Sequence, residues 1–142
     1  MYLAQAFAEL IAQQLHAQNI ILHHKLLVPI SSSTEQLRKR NYNPAGVFAK
    51  ALAKKLQCAL DLSVLRRQSS TQLQKSLSRH DRFLHSSQLY YAHRRLSHNT
   101  SIVLVDDILT TGSTLESAAR ALISAGARQV DAIVIARTAN PF

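Results

Sequence analysis

The feature that most constrains the fold is a short apolar run followed by two acids, a threonine-rich turn and an amphipathic segment. Residues 101–105 are Ser-Ile-Val-Leu-Val, which is typical of a central parallel strand buried on both faces. Residues 106–114 are Asp-Asp-Ile-Leu-Thr-Thr-Gly-Ser-Thr, and the helical spacing that follows predicts a helix over residues 113–125. Because open parallel sheets bind ligands beyond the carboxyl ends of their strands, residues 106–114 are the first candidate for a binding loop.

This candidate loop carries the groups that a sugar phosphate needs. Gly112 lets the backbone approach an anion closely. The amides of residues 110–114 can converge on a phosphate at the helix N-terminus, where the helix dipole favours negative charge. The adjacent carboxylates of Asp106 and Asp107 are acceptors suited to neighbouring sugar hydroxyls. Further donors are the side-chain hydroxyls of Thr110, Thr111, Ser113 and Thr114.

Three other interpretations of the loop are weaker. An apolar strand ending in Asp-Asp also resembles the magnesium strand of a nucleoside triphosphatase, and dinucleotide-binding folds have a strand–loop–helix unit too. Both classes need a glycine-rich loop, and the chain has only Gly46, Gly112 and Gly126, none of them in such a loop. The third interpretation is an ordinary helix N-cap, for which one Ser or Thr suffices. Two acids and four hydroxyls around one glycine exceed that need.

The periodicity of the remaining chain predicts an α/β fold with a mainly parallel sheet flanked by helices. Helices are predicted over residues 2–16, 44–57 and 113–125, and strands over residues 25–30, 62–65, 88–92, 101–105 and 130–136. Residues 66–84 are polar and aperiodic, which predicts a long, flexible, functional loop. No linker or internal repeat divides the sequence, so residues 1–142 are expected to form a single domain.

Each predicted helix has an apolar stripe that should face the core. The stripe of the first helix is Leu3, Phe7, Leu10, Ile11 and Leu15. The stripe of the second helix is Val47, Phe48, Ala51, Leu52 and Leu56, with Lys50, Lys54 and Lys55 on the outer side. The stripe of the third helix is Leu115, Ala118, Ala119, Leu122 and Ile123, and Gly126 ends that helix.

Positive charge is concentrated in the middle of the chain. The net charge is +9, and residues 37–95 contain thirteen of the seventeen Lys and Arg residues but only two acids, Asp61 and Asp81. So basic a segment favours an anionic partner, which is nucleic acid, pyrophosphate or both, over a merely solvated surface. No apolar run approaches the ~20 residues of a membrane-spanning helix, so no membrane insertion and a cytoplasmic location are expected. The single cysteine, Cys58, agrees with a reducing compartment.

The histidines and tyrosines give weaker indications. The seven histidines show no ligand spacing typical of a metal site, and the adjacent His23 and His24 would point to opposite faces of a strand. No protein-bound metal is therefore predicted. Among the tyrosines of the basic segment, Tyr42 is the best candidate to stack on a base of single-stranded nucleic acid. Core packing is the expected role of Tyr90 or Tyr91.

Residues 106–114 resemble the ribose-phosphate signature of type I phosphoribosyltransferases, and other stretches resemble the ComF family of competence-associated proteins. Residues 37–43, Leu-Arg-Lys-Arg-Asn-Tyr-Asn, are similar to that family's Leu-Arg-x-Arg-Gly-Phe-Asn, and Val28-Pro29 precedes them. Gln72 and residues 77–82 resemble its Gln-x-x-Leu-Ser-x-x-x-Arg stretch, and Ala-Arg-Thr at residues 136–138 also fits. The resemblance extends over residues 2–138 and implies a type I phosphoribosyltransferase-like α/β fold.

The chain departs from the family pattern at several places. The four-cysteine zinc ribbon found in many members is absent, so no structural zinc is expected. Asn41 replaces a glycine, and Asn tolerates the left-handed conformation that such a turn needs. Residues 31–33 are three serines, and Pro44 replaces a glutamine. Thr110 stands where related hypoxanthine-guanine enzymes have a catalytic Asp, so that base chemistry does not carry over.

The resemblance leaves two functions open, and the first is an enzyme. Such a protein binds phosphoribosyl pyrophosphate, or another ribose 5-phosphate ligand, with Mg²⁺ and transfers the phosphoribosyl group to an acceptor. Asp106 and Asp107 are the implied catalytic residues, holding the ribose hydroxyls, and residues 110–114 would anchor the 5-phosphate. The implied pyrophosphate loop residues are Lys75, Arg79 and Arg82.

The second function is a non-catalytic protein that binds single-stranded DNA in DNA uptake or DNA processing. The ComF resemblance implies work beside a competence helicase. The positive charge agrees with a nucleic-acid partner. The candidate nucleic-acid residues are Arg38, Lys39, Arg40 and Tyr42.

Overall fold

The computed structural model describes residues 2–30, 41–68, 89–109 and 111–138. Its helices are α1 (Tyr2–Ala17), α2 (Pro44–Leu56) and α3 (Ser113–Ser124). Its strands are β1 (Leu26–Pro29), β2 (Ala59–Leu60), β3 (Leu65–Arg67), β4 (Tyr90–Ala92), β5 (Ser101–Leu109) and β6 (Gln129–Arg137). The three predicted helices are confirmed. Most of the predicted flexible loop, residues 69–84, lies outside the described residues.

The main sheet is parallel, as the sequence predicts. Its strand order is β2-β1-β5-β6, and all three neighbouring pairs run parallel. Strand β5 is central, so that Leu104 lies between Val28 of β1 and Ala132 of β6. The carboxyl ends of β1, β5 and β6 therefore meet at one edge of the sheet, which is where the candidate loop begins.

Both faces of this sheet are covered, which explains the unbroken apolar run in β5. The cluster on one face, beneath α1 and α2, includes Ala8, Phe48, Leu52, Val103 and Val105. The cluster on the other face, beneath α3, includes Val28, Ile102, Leu104, Ala118 and Leu122. Alternate residues of β5 enter opposite clusters because successive side chains of a strand point to opposite faces. Burial in two clusters fixes the register of β5, and the register fixes where the candidate loop lies.

A second, antiparallel sheet of β3 and β4 packs on the α3 side. Its register pairs Leu65 with Ala92 and Arg67 with Tyr90. The backbone nitrogen of Leu89 donates a 2.9 Å hydrogen bond to the Ser117 hydroxyl on α3. This bond attaches the small sheet to the helix that follows the candidate loop.

The predicted strand over residues 62–65 is wrong for most of its length, because a side chain closes a turn there. The Asp61 carboxylate accepts bonds from the backbone nitrogens of Ser63 and Val64, at 2.7 and 2.9 Å, and from Arg94 Nη2 at 2.6 Å. Burial raises the pKa of Asp61, but the bonds from Ser63, Arg94 and Val64 outweigh it and bring the pKa down to about 2. An Asp that bonds the backbone two residues ahead offers an alternative to strand pairing.

Two predicted apolar stripes are partly wrong. On α1, Leu3 and Leu10 are 70% and 60% exposed, whereas Ala8 is 2% exposed. Helix α1 packs against α2 through this small residue, so its buried stripe is centred on Ala8 rather than on the largest side chains. On α3, Ile123 is 49% exposed, because the helix faces the sheet through Ala118 and Leu122.

The stripe of α2 is confirmed by the full burial of Phe48 and Leu52. The lysines on its outer side, Lys50, Lys54 and Lys55, are exposed as predicted. Within the described ranges, no helix combines the length and the apolar content needed to cross a membrane.

Candidate functional site

The two acids of the candidate loop lie within strand β5, not after it. Strand β5 continues to Leu109, and its register with β6 pairs Asp106 with Val134 and Leu109 with Arg137. On the other side the register ends where Pro29 of β1 pairs with Val105. The predicted strand end at Val105 is therefore wrong, because β6 continues the ladder past the last residue of β1.

Asp106 is a buried carboxyl at the point where β5 loses its β1 neighbour. It is 7% exposed, and its Oδ1 accepts a 2.9 Å bond from the Asp107 backbone nitrogen. Burial raises the pKa of Asp106 to about 6. The bond from the Asp107 backbone amide lowers the pKa in part, and the neighbouring Asp107 carboxyl raises it further. At neutral pH this group is an anion in a place that disfavours charge. Any hydroxyl that donates to it therefore forms a strong bond.

Gly112 begins helix α3 in a conformation that favours glycine. It is the N-cap residue, with φ +83° and ψ −10°, and its carbonyl accepts the 2.9 Å bond of the Glu116 amide. The Thr111 and Ser113 hydroxyl oxygens are 3.0 Å apart beside it. The first amides of a helix have no partner within the helix, and here they lie next to this pair of hydroxyls. Such a turn presents several donors to an anion.

Tyr90 and Arg67 of the small sheet were not predicted to belong to the site. The Arg67 guanidinium lies 5.7 Å from the centre of the Tyr90 ring, and its Nη1 is 3.5 Å from the Tyr90 hydroxyl. Burial raises the pKa of Tyr90, the Arg67 charge lowers it in part, and the Asp106 charge adds to the rise. The Asp106 carboxylate therefore disfavours ionisation of the Tyr90 hydroxyl. No sequence signal connects the two residues, since their proximity results from the packing of the small β3–β4 sheet on α3.

The end of β1 forms the other border of the site. The Ile30 amide donates a 2.8 Å bond to the Val105 carbonyl, one residue before Asp106. The side-chain nitrogen Nδ2 of Asn43 donates a 3.0 Å bond to the Ile30 carbonyl, which ties the start of α2 to this edge of the sheet. Asn41 has φ +56°, so the predicted left-handed turn is confirmed.

The structure describes only part of the predicted site. The predicted residues outside the described ranges are Arg38, Lys39, Arg40, Lys75, Arg79, Arg82 and Thr110. The predicted residues that it brings together are Asp106, Asp107, Thr111, Gly112, Ser113 and Thr114. Tyr42 is 54% exposed near the start of α2, as a stacking role requires. Of the two tyrosines proposed for core packing, Tyr90 is buried, which confirms the prediction, and Tyr91 is 42% exposed.

The described residues contain no group of three His, Cys, Asp or Glu side chains that could hold a metal ion. The polar groups at the edge of β5 are two carboxylates, a turn of hydroxyls and the amides at the start of α3. Carboxylates that accept bonds from sugar hydroxyls and amides that donate to a phosphate are together complementary to a ribose phosphate.

Comparison with known proteins gives a family and a relative. The phosphoribosyl transferase domain family matches residues 44–141. The competence protein ComFC of Bacillus subtilis (strain 168) is 32% identical over 103 residues, which are 72% of this chain and 40% of that protein. The chain thus spans less than half the length of this relative. The resemblance to ComF proteins and to phosphoribosyltransferases is confirmed.

Solved structures show the same fold. A hypoxanthine phosphoribosyltransferase of Staphylococcus aureus superposes with a TM-score of 0.57 at 15% identity, covering 98% of this chain and 75% of that one. A protein of Thermus thermophilus superposes with a TM-score of 0.54 at 14% identity, covering 98% of this chain and 85% of that one. At these identities the likeness concerns the fold, and it confirms the predicted α/β architecture.

Proposed function

The chain belongs to the phosphoribosyl transferase domain family, and from that premise we propose that it binds phosphoribosyl pyrophosphate at the carboxyl end of β5. The observation that carries the proposal is the order of groups along the backbone. A buried carboxyl at Asp106 precedes a left-handed Gly112, and the first amides of α3 follow directly. Acceptors and donors in this order match the ribose hydroxyls and the 5-phosphate of the ligand.

Each group of the site has a proposed task. Asp106 and Asp107 accept bonds from the two ribose hydroxyls. The amides and hydroxyls of residues 110–114 hold the 5-phosphate. Transfer of the phosphoribosyl group to an acceptor breaks the bond between the sugar carbon and pyrophosphate, and the sugar becomes electron-poor as this bond breaks. The buried anion of Asp106 stabilises that positive charge.

Magnesium fits this donor set as a companion of the ligand. Mg²⁺ keeps several waters and binds through substrate phosphates, so pyrophosphate oxygens would hold it and no protein ligand is assigned. When bound, it would neutralise charge on the departing pyrophosphate. Lys75, Arg79 and Arg82 are proposed to add positive charge on the same side, and their segment lies outside the described residues. We propose that the chain does this as a single domain in the cytoplasm.

Phosphoribosyl pyrophosphate with Mg²⁺ is expected to raise the melting temperature. A ligand that binds only the native state at 100 times its Kd adds about 2.7 kcal/mol. For a domain of this size the shift is roughly 10 °C. The measurement is a thermal melt with ligand and Mg²⁺, with either alone, and with pyrophosphate alone. A folded protein that shows no shift at millimolar ligand would contradict the proposal.

Binding of single-stranded DNA is a second candidate function, favoured by a specific surface. Lys50 and Lys54 lie exposed on α2, and the exposed Tyr42 ring lies just before the start of that helix. Exposed cations and an exposed aromatic ring are the groups that bind a nucleic-acid strand. The basic residues Arg38, Lys39 and Arg40 precede Tyr42 in sequence and would extend this surface.

DNA affinity on this surface should fall steeply with salt. Each phosphate contact releases counterions and contributes a slope of about −0.7 to the logarithmic salt dependence for single strands. Arg38→Glu and Arg40→Glu are expected to weaken oligonucleotide binding regardless of base sequence, as measured by fluorescence anisotropy. Arg128→Glu, an equal charge change at an exposed residue after α3, is the matched control. Equal loss in the control, or no binding at low salt, would refute this second function.

A further inference from the structure

A basic groove of about 570 Å³ lies between α3 and the chain that runs from β4 to Arg95. Its lining includes Tyr91, Arg94, Arg95 and Arg120, and none of the described residues that line it carries a carboxylate. The volume lies within the roughly 300–1,000 Å³ typical of small-molecule sites. The groove extends along α3 from Ser117 to its C-terminal end, whereas the proposed ribose-phosphate site lies at the N-terminal end of that helix.

Two hydrogen bonds attach the wall of the groove that runs from β4 to Arg95 to helix α3. At one end the Leu89 amide donates to the Ser117 hydroxyl at 2.9 Å. At the other end the Leu96 amide donates to the Ala125 carbonyl at 2.8 Å. The segment between them is thus fixed to α3 at both ends. The groove is a built feature of the fold, present before any ligand binds.

The arginines of the groove differ in how firmly they are held. Arg94 is fixed by its 2.6 Å bond to Asp61, whose carboxylate also closes the turn before β3. Arg120 pairs with Glu116 four residues earlier, and both side chains are more than 60% exposed, so this pair is weak. Arg95 is exposed and lines the same groove. Arg95 and Arg120 are therefore available to an anion. Arg94 instead fixes the position of the segment after β4 that lines the groove.

Tyr91 adds an aromatic surface beside these cations. Successive strand residues point to opposite faces, so Tyr90 is 3% exposed on the core side and Tyr91 is 42% exposed on the groove side. A phenol ring can stack on any nucleobase, while guanidinium groups bond phosphate oxygens in a bidentate manner. The two features are combined in nucleotide ligands.

We propose that this groove binds a nucleoside triphosphate, at a site separate from that of phosphoribosyl pyrophosphate. A triphosphate concentrates negative charge on adjacent phosphates, which matches Arg95 and Arg120, the two available arginines of this small groove. A nucleic-acid strand spaces its phosphates one per nucleotide and would use a longer surface. The base stacks on Tyr91, and the phosphates contact Arg95 and Arg120.

The test is calorimetric titration of the full chain with ATP and with GTP. Arg95→Gln and Arg120→Gln should each weaken binding about tenfold, since a charge-assisted bond is lost in each case. Tyr91→Ser should weaken it too, and Tyr91→Phe should restore it. Arg128→Gln, which removes the same charge from an exposed residue outside the groove, should leave the affinity within about twofold. Melting curves of the variants should match the parent because all the substituted residues are exposed.

Several results would overturn the proposal. Equal weakening by Arg128→Gln would mean that net charge alone attracts the nucleotide. Loss of ATP binding in Gly112→Val with no loss in Arg95→Gln would place the nucleotide in the phosphate turn instead. Stronger binding of a twelve-nucleotide oligo-dT, lost in the groove variants while ATP binding is unchanged, would assign the groove to a strand. The thermal shift by phosphoribosyl pyrophosphate should persist in the groove variants, and its absence in the parent would count against the proposed function only.

Discussion

Gly112→Val is expected to abolish the thermal stabilisation by phosphoribosyl pyrophosphate and Mg²⁺ while leaving the protein folded. At φ +83° a β-branched residue is strained, so the backbone should leave the left-handed region and carry the amides of α3 out of position. The strain costs on the order of 1–3 kcal/mol, less than the stability of a typical domain. Among the described atoms a new Cβ would meet only Leu109 Cδ1, at 3.9 Å, so no core contact is disturbed.

Gly126→Ala is the matched control for this change. Gly126 also has a positive φ, +111°, but lies at the far end of α3, where a Cβ would be 2.8 Å from the Leu96 carbonyl oxygen. The control variant should melt at a lower temperature than the parent and still be stabilised by the ligand. Thr111→Ala, which removes the hydroxyl that contacts Ser113, should lose the shift as Gly112→Val does. Retention of the full shift in Gly112→Val would show that the phosphate is held elsewhere.

Asp106→Asn is expected to make the protein more stable at neutral pH and less able to bind its ligand. The folded-state pKa of Asp106 is about 6, against 3.8 for an ordinary Asp. Between these values the folded state holds a proton that the unfolded state has released. Stability therefore falls as pH rises from about 4 to about 6, by about 3 kcal/mol in all. The Asn side chain does not titrate, so in the variant the stability should no longer fall between pH 4 and 6. The variant's advantage in free energy of unfolding over the parent should reach its full size above pH 6.

Denaturant unfolding at pH values from 4 to 7.5 measures this effect. Asp61 provides a control of opposite sign, because its folded-state pKa is about 2. Its contribution is present above pH 3.8 and is lost as pH falls towards 2, so Asp61→Asn should destabilise the protein throughout the neutral range. If Asp106→Asn leaves the dependence between pH 4 and 6 unchanged, the buried carboxyl is not the cause of it. If Asp106→Asn is more stable than the parent and fails to bind the ligand, the site follows the usual trade-off, in which binding groups lower the stability of the fold.

The parts of the fold that were predicted correctly are those with one dominant physical cause. The unbroken apolar run at residues 102–105 indicates a strand that is buried on both faces, and β5 is that strand. Helix α2 begins at Pro44 and buries Phe48 and Leu52, as its spacing predicts. In each case the local pattern and the tertiary packing favour the same structure.

The errors occur where tertiary contacts override local pattern. Leu3 and Leu10 carry most of the apolar area of α1, but close approach to α2 selects Ala8 for the interface. The sequence shows the size of a side chain and not the distance between two helices. Val64 belongs to a turn because Asp61 bonds its amide and is itself bonded by Arg94, thirty-three residues away. The Asp-Leu-Ser spacing was a usable signal for this turn.

The candidate site was predictable where its residues are contiguous. Asp106, Asp107 and the turn at Gly112 follow one another in the chain, so their composition alone indicates an anion and a sugar. The raised pKa of Asp106 depends on burial at the end of β5, which composition does not show. The proximity of Tyr90 depends on how a separate small sheet packs on α3. Such contacts are a property of the assembled fold.

The unequal lengths of β1 and β5 have a consequence for local opening. Amide exchange in residues 102–105 requires the loss of ladder bonds on two sides and the exposure of core side chains. In residues 106–109 the ladder to β6 alone must open, and Ile108 is already half exposed. The free energy of opening is therefore lower in the segment that carries the two carboxylates than in the strand that positions it. This segment can adjust its backbone to a ligand while the sheet behind it stays closed.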